Sequence, residues 1–287
     1  MSKEKSLHFS LARRVADQFK AVAEVEAIAL GGSQISGSID NHSDIDLYIF
    51  SNEIIPLNTR RSIVEQLGAV KSDLNLTFWD IGDEWIDLET GIEVDIIYWN
   101  QTWIEEQIEH TLIKHQGKMG YSTCYWYTVL NSKILFERSD WFSTLQKRCN
   151  VPYPQELKHS IIAKNHPVLR SVIPSYYGQI QKSIDRRDLI STNHRIASLL
   201  ESFFDVLFAI NEVLNPGEKK VLTYVLATCQ KIPTNLEGNI ESILQSSAKS
   251  NTLLLDQIDE LLDGLDHMLA EEGIDPRQTI QLDKGLK

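Results

Sequence analysis

Asp44 and Asp46 stand two residues apart at the head of an apolar run, IDLYIF over positions 45–50. In an extended strand such residues project from one face, and two carboxylates held there repel each other unless a cation sits between them. Hard oxygen donors of this kind suit a divalent cation of the magnesium type, which shares its coordination sphere with phosphate oxygens. Upstream, Gly31, Gly32 and Ser33 form a turn that offers backbone N–H groups and a hydroxyl, with little side-chain bulk to keep a phosphate away. Glu93 and Asp95 repeat the two-residue spacing within GIEVDIIYW. If the two segments are neighbours, three or four carboxylates converge, the arrangement expected of cation-assisted transfer of a phosphoryl-bearing group.

Holding these groups in place requires strands and the helices that cover them. Leu7, Leu11, Val15, Phe19 and Val22 recur at helical spacing, which predicts an amphipathic first helix over 7–24. EAIALGG reads as a strand entering a glycine turn, IDLYIF as a second strand and TRRSIVEQLGAV as a helix. LNLTFWD and GIEVDIIYW, rich in β-branched and aromatic residues, are two further strand candidates. The pattern turns helical again over 100–133, and ILFER predicts a short edge strand ahead of a helix near 141–148. The two prolines of VPYPQE mark a domain boundary. Beyond it, HRIASLLESFFDVLFAINEVL and NTLLLDQIDELLDGLDHMLAEEG are long helical patterns without a convincing strand. The expected architecture is therefore a mixed α/β domain with a small mixed sheet over residues 1–150, followed by an all-α helical bundle over 151–287.

The chain of 287 residues is 42% hydrophobic, enough for a sizeable core. Acidic residues outnumber basic ones by 40 to 28, for a formal net charge of −12. That balance argues against gripping a nucleic-acid backbone, which rests on Lys and Arg, and suits a small or cationic partner. Cys124, Cys149 and Cys229 are scattered and odd in number, which speaks against a disulfide framework or zinc site and for a reducing compartment. With neither a leader-like apolar segment nor a run of 18 apolar residues, the expectation is a cytoplasmic protein with no membrane role.

The run from Gly32 and Ser33, through ten intervening residues, to Asp44-Ile45-Asp46 and its apolar flank resembles the signature of the polymerase-β-like nucleotidyltransferase superfamily. Within it, a small catalytic domain joined to a C-terminal helical domain resembles the bacterial antibiotic nucleotidyltransferases that adenylylate aminoglycosides or lincosamides, and equally their uncharacterised relatives. The resemblance implies ATP or another nucleoside triphosphate as substrate, Mg2+ as cofactor and a hydroxyl of a small molecule as acceptor. It further implies that Ser33 contacts the phosphates beside Gly32, and that Asp44 and Asp46 hold magnesium. Asp95 matches the third metal-binding aspartate of other members, and Glu93 matches an acidic residue treated as general base. With both present, the favoured division is Asp95 on the metal and Glu93 as base.

A Gly-Gly-Ser turn or an Asp-x-Asp pair alone is common in ordinary turns and strand ends; the combination at this spacing is far more specific. In the helical half, Lys182 and Arg187, with Arg186, Arg195, Lys219 and Lys220 nearby in sequence, are candidates for contacts to the β- and γ-phosphates. The plainer reading of each is a solvated charge on a helix. Two alternatives stay open: the same transfer onto a protein or RNA acceptor, as in toxin–antitoxin relatives, and a non-catalytic nucleotide-binding module that keeps the fold.

Overall fold

A computed structural model describes residues 3–32, 44–78, 80–248 and 253–274. The chain divides into two compact units, one of Met1–Glu109 with Thr128–Val151, the other of His110–Tyr127 with Pro152–Lys287.

The first unit carries a six-stranded mixed sheet in the order β3-β4-β5-β2-β1-β6. Its strands are β1 (Val25–Leu30), β2 (Ile45–Ser51), β3 (Ala69–Leu76), β4 (Gly82–Asp87), β5 (Glu93–Asn100) and β6 (Lys133–Glu137). Neighbours are antiparallel except β2 and β5, which run parallel. Helices α1 (Lys3–Phe19) and α2 (Leu57–Leu67) cover one face. There Leu11, Val15 and Phe19 of α1 and Ile63 and Val64 of α2 pack on Ile45, Leu47 and Ile49 of β2 and Val94 and Ile96 of β5. Alternate residues of β2 and β5 supply this core because the strand period is two, and the intervening positions are left for the opposite face.

On that opposite face Phe50 is fully buried, its ring 4.4 Å from Phe142, 5.6 Å from Trp141 and 6.0 Å from Trp99 between centroids. Phe142 and Trp141 open α5 (Trp141–Cys149), and α3 (Gln101–Leu112) and α4 (Cys124–Asn131) precede it in the chain. Trp99 also stacks on Tyr48 at 4.6 Å. A second apolar patch thus fills the far end of β2 and β5 and leaves their leading ends, which bear the acids, to polar residues.

Several elements depart from the sequence expectation: the first helix spans Lys3–Phe19 and not 7–24, the strand expected over 74–80 is Ala69–Leu76, and β4 has no counterpart in that expectation. The helix expected to run to Val70 stops at Leu67, because Gly68 takes φ +83 and its N–H closes on the carbonyl of Glu65, a glycine C-terminal stop; Ala69 then begins β3. The helical stretch expected over 100–133 is interrupted between Leu112 and Cys124, where His115, Gly120 and Tyr121 adopt positive φ.

The described residues of the second unit form helices joined by loops and no strand, and among the described residues no helix is long and apolar enough to cross a membrane. Its helices include α6 (Gln155–Arg170), α7 (Tyr176–Asp185), α8 (Leu189–Asn211) and, after two shorter ones over 221–228 and 236–247, α11 (Leu253–Glu271). The segment before α4 is stapled to this unit by a buried hub. Both oxygens of Asp205 accept from the backbone N–H of Ser122, Asn215 donates to one of them and Asn165 to the other. Asn165 also accepts from the N–H of Gly120 and donates to the carbonyl of Lys118. A second cluster fastens α11: Arg170 donates to Asp259 at 3.0 Å, and His166 Nε2 lies 2.6 Å from Asp266.

Candidate active site

Along β2 the residues Asp46, Tyr48 and Phe50 share the face opposite the α1–α2 core, and along β5 so do Glu93, Asp95, Ile97 and Trp99. In the parallel register Asp46 stands directly opposite Asp95. Both carboxylates are half-buried, as is Asp44 just before β2, whereas Glu93 at the first position of β5 is exposed. The register therefore answers a question that spacing leaves open: of the two acids on β5, Asp95 is the one facing Asp46.

The glycine turn is built against this pair. The N–H of Gly31 donates to the carbonyl of Asp46 at 2.9 Å. Gly32 sits at φ +63, and a Cβ there would run into the Asp46 carboxylate; one on Gly31 would run into the ring of Tyr48. Only glycine lets the backbone pass so close to the acid, so the strand-end turn and the carboxylate are packed directly against each other. Ser33 follows immediately and lies outside the described residues, as does Trp79.

A third strand joins the row. Glu84 of β4 stands opposite Asp95, and Asp73 of β3 opposite Glu84, so Asp46, Asp95, Glu84 and Asp73 follow one another across four adjacent strands. Like charges facing each other across a sheet cost stability. Glu84 is half-buried and was not among the residues singled out by spacing. Gly-Asp-Glu-Trp-Ile-Asp has no apolar–polar alternation, so spacing carries no signal for this strand.

The opposite face of β4 explains how so acidic a strand folds. Asp83, fully buried, accepts from Arg60 of α2 at 2.7 Å, from Tyr98 Oη at 2.7 Å and from the backbone N–H of Asn75 at 2.8 Å. Burial first, and then the Asp83 carboxylate, hold the Tyr98 phenol well above its ordinary value, which keeps it a donor. Asp87, equally buried, pairs with Arg14 of α1 and accepts from Thr90. Two arginines thus pin β4 to both covering helices and fix the direction in which Glu84 points.

No family model matches this chain, and no curated protein matches it. Among solved structures it is similar to a nucleotidyltransferase-like protein from Exiguobacterium sibiricum 255-15, with 13% identity and a TM-score of 0.43 over 92% of this chain and 74% of that one. It is also similar, with 13% identity and a TM-score of 0.26 over 93% of this chain and all of the other, to spectinomycin adenyltransferase AAD(9) from Enterococcus faecialis, solved with ATP and spectinomycin. At this level of likeness the chain's chemistry has to be read from its own residues.

Among the described residues no group of three or more His, Cys, Asp or Glu side chains is arranged to hold a metal ion by itself. A magnesium-type cation does not require one, since it is commonly held by one or two carboxylates while phosphates and water complete its octahedron. The facing pair Asp46 and Asp95 fits that donor set. Burial pushes the Cys149 thiol up to about 12 and the Cys229 thiol up to about 11. Lys182 on α7 and Arg187 at φ +57 just after it are exposed residues of the second unit.

Proposed function

We propose that this chain is a magnesium-dependent nucleotidyltransferase that moves a nucleoside monophosphate, AMP from ATP in the first instance, onto a hydroxyl of a small-molecule acceptor and releases pyrophosphate. The observation that carries the reading is the register of β2 on β5, which sets Asp46 opposite Asp95 against a turn that only glycine can make. In this reading Asp46 and Asp95 would hold the cation together with the phosphates, Asp44 adds its negative charge from the residue before β2, and the Gly32-Ser33 turn receives the phosphates. Bound magnesium would offset charge on the triphosphate and on the departing pyrophosphate. Glu93, exposed and on the same strand face as Asp95, accepts the proton of the acceptor hydroxyl as its oxygen bonds to the α-phosphorus and the bond to pyrophosphate breaks. The net charge of −12 favours the approach of a cationic acceptor, as an aminoglycoside would be.

The test is pyrophosphate release by the purified chain with Mg2+, each of the four nucleoside triphosphates and a panel of aminoglycosides and lincosamides. Release that depends on an acceptor, and disappears in Asp44→Asn and Asp46→Asn while circular dichroism is unchanged, supports the assignment. Undiminished release in both variants removes it.

A further inference from the structure

Strand β3 closes one edge of the sheet, with β4 on its inner side. It is eight residues long; Val70, Lys71, Ser72 and Asp73 are exposed, and Ala69 and Leu74 are half-exposed. Its pairing with β4 shifts register between Ala69 and Lys71 and again between Leu74 and Leu76, so the regular open edge is the short stretch Lys71–Leu74, which can still act as a template for another strand. Charged residues usually protect such an edge from strangers, but the order of charges here selects one partner. In an antiparallel pairing of β3 with its own copy, a two-fold axis at Lys71 or at Asp73 would set like charges against each other. An axis at Ser72 sets Lys71 opposite the partner's Asp73 and Asp73 opposite the partner's Lys71.

We propose that this edge is a self-complementary interface through which two copies of the chain associate about Ser72. The exposed Lys71–Asp73 pair within one strand, at 3.3 Å, is worth little in water and exchanges readily for the two cross-strand pairs. The partner's Lys71 would then continue the acidic row, placing a cation beside Asp73, whose neighbour within its own sheet is Glu84. On the other face, a cavity of about 430 Å3 between α2 and β3 is lined by Arg61, Glu65, Val64, Ser72 and Leu74 and is mainly polar. A symmetric contact made of one patch meeting itself is the commonest route to a soluble homodimer. The inference is independent of the proposed catalysis.

Sedimentation equilibrium on the full chain tests it, with Lys71→Glu and Asp73→Lys as variants. The natural chain is expected at twice its 32.8 kDa mass. Each variant places like charges in both symmetry-related pairs, so its dimer dissociation constant is expected to rise at least about tenfold. An equimolar mixture of the two variants restores opposite charges across the strand and is expected to return as a mixed dimer, a result that an effect confined to one chain's fold would not produce. A monomeric natural chain at about 0.1 mM, variants that associate as tightly as it does, or a mixture that stays monomeric would each overturn the proposal.

Discussion

The two faces of β4 and β5 treat acids in opposite ways. On the face covered by α1 and α2, Asp83 and Asp87 are fully buried and each meets an arginine from a helix, with further hydrogen bonds from Tyr98, Asn75 or Thr90. On the other face Asp95 and Glu84 stand opposite each other, and Asp46 completes the row from β2. The first arrangement is how a fold makes an acid tolerable in its interior. In the second, the register sets acid against acid across neighbouring strands, an arrangement that by itself costs stability.

The contrast is broken most severely by Asp46→Asn. Transfer should fall at least about 1000-fold in kcat, as when one preorganised charge is removed from a reacting site, while the far-ultraviolet spectrum stays that of the parent; an active variant would reduce the acid row to decoration. Arg60→Met attacks the other face. Removing the guanidinium leaves Asp83 buried without its cation, and unfolding in urea should show a loss of about 3–5 kcal/mol. If the loss is only a few tenths, the Arg60–Asp83 pair does not hold β4 in place.

Smaller effects sharpen the same comparison. Glu84→Gln takes away one of two facing like charges and should raise stability by about 0.5 kcal/mol, readable as a higher melting temperature; a lowered one would mean that Glu84 is matched in the way Asp83 is. In the second unit, Glu201 is another crowded acid: burial first, then the carboxylates of Asp205 and Glu218, raise its pKa. A raised carboxyl makes the folded state prefer the protonated form, so its contribution to stability grows as pH falls through that raised value. Glu201→Gln should therefore be ahead of the parent by a few tenths of a kcal/mol at about pH 8, with the gap closing near pH 4. A gap independent of pH would show that the gain is one of packing.

The acid pair on β2 and the second pair on β5 were legible because a strand's two-residue period writes itself into the sequence as alternation. Their register was not, since which of Glu93 and Asp95 faces Asp46 depends on how two strands slide past each other, and only the paired backbone fixes that. Strand β4 escaped for a more instructive reason. Asp83, Glu84 and Asp87 make it look like a solvent loop, and it becomes a strand only through Arg60 and Arg14, which come from distant parts of the chain. The overrun of the helix past Leu67 was avoidable, because Gly68 followed by Ala-Val is a stop signal of glycine's usual kind. The edge position of β6 was readable from its short, half-polar pattern and is as expected.

The parallel pairing of β2 with β5 has a consequence for how the protein comes into being. Parallel neighbours cannot be joined by a tight hairpin, and here the intervening chain supplies α2, β3 and β4 before β5 is reached. A polypeptide emerging from the ribosome carries Asp44 and Asp46 through all of that excursion with no Asp95 to meet them. Until β5 arrives and docks, the nascent chain has one side of the facing pair, so the pair is completed only by that late step.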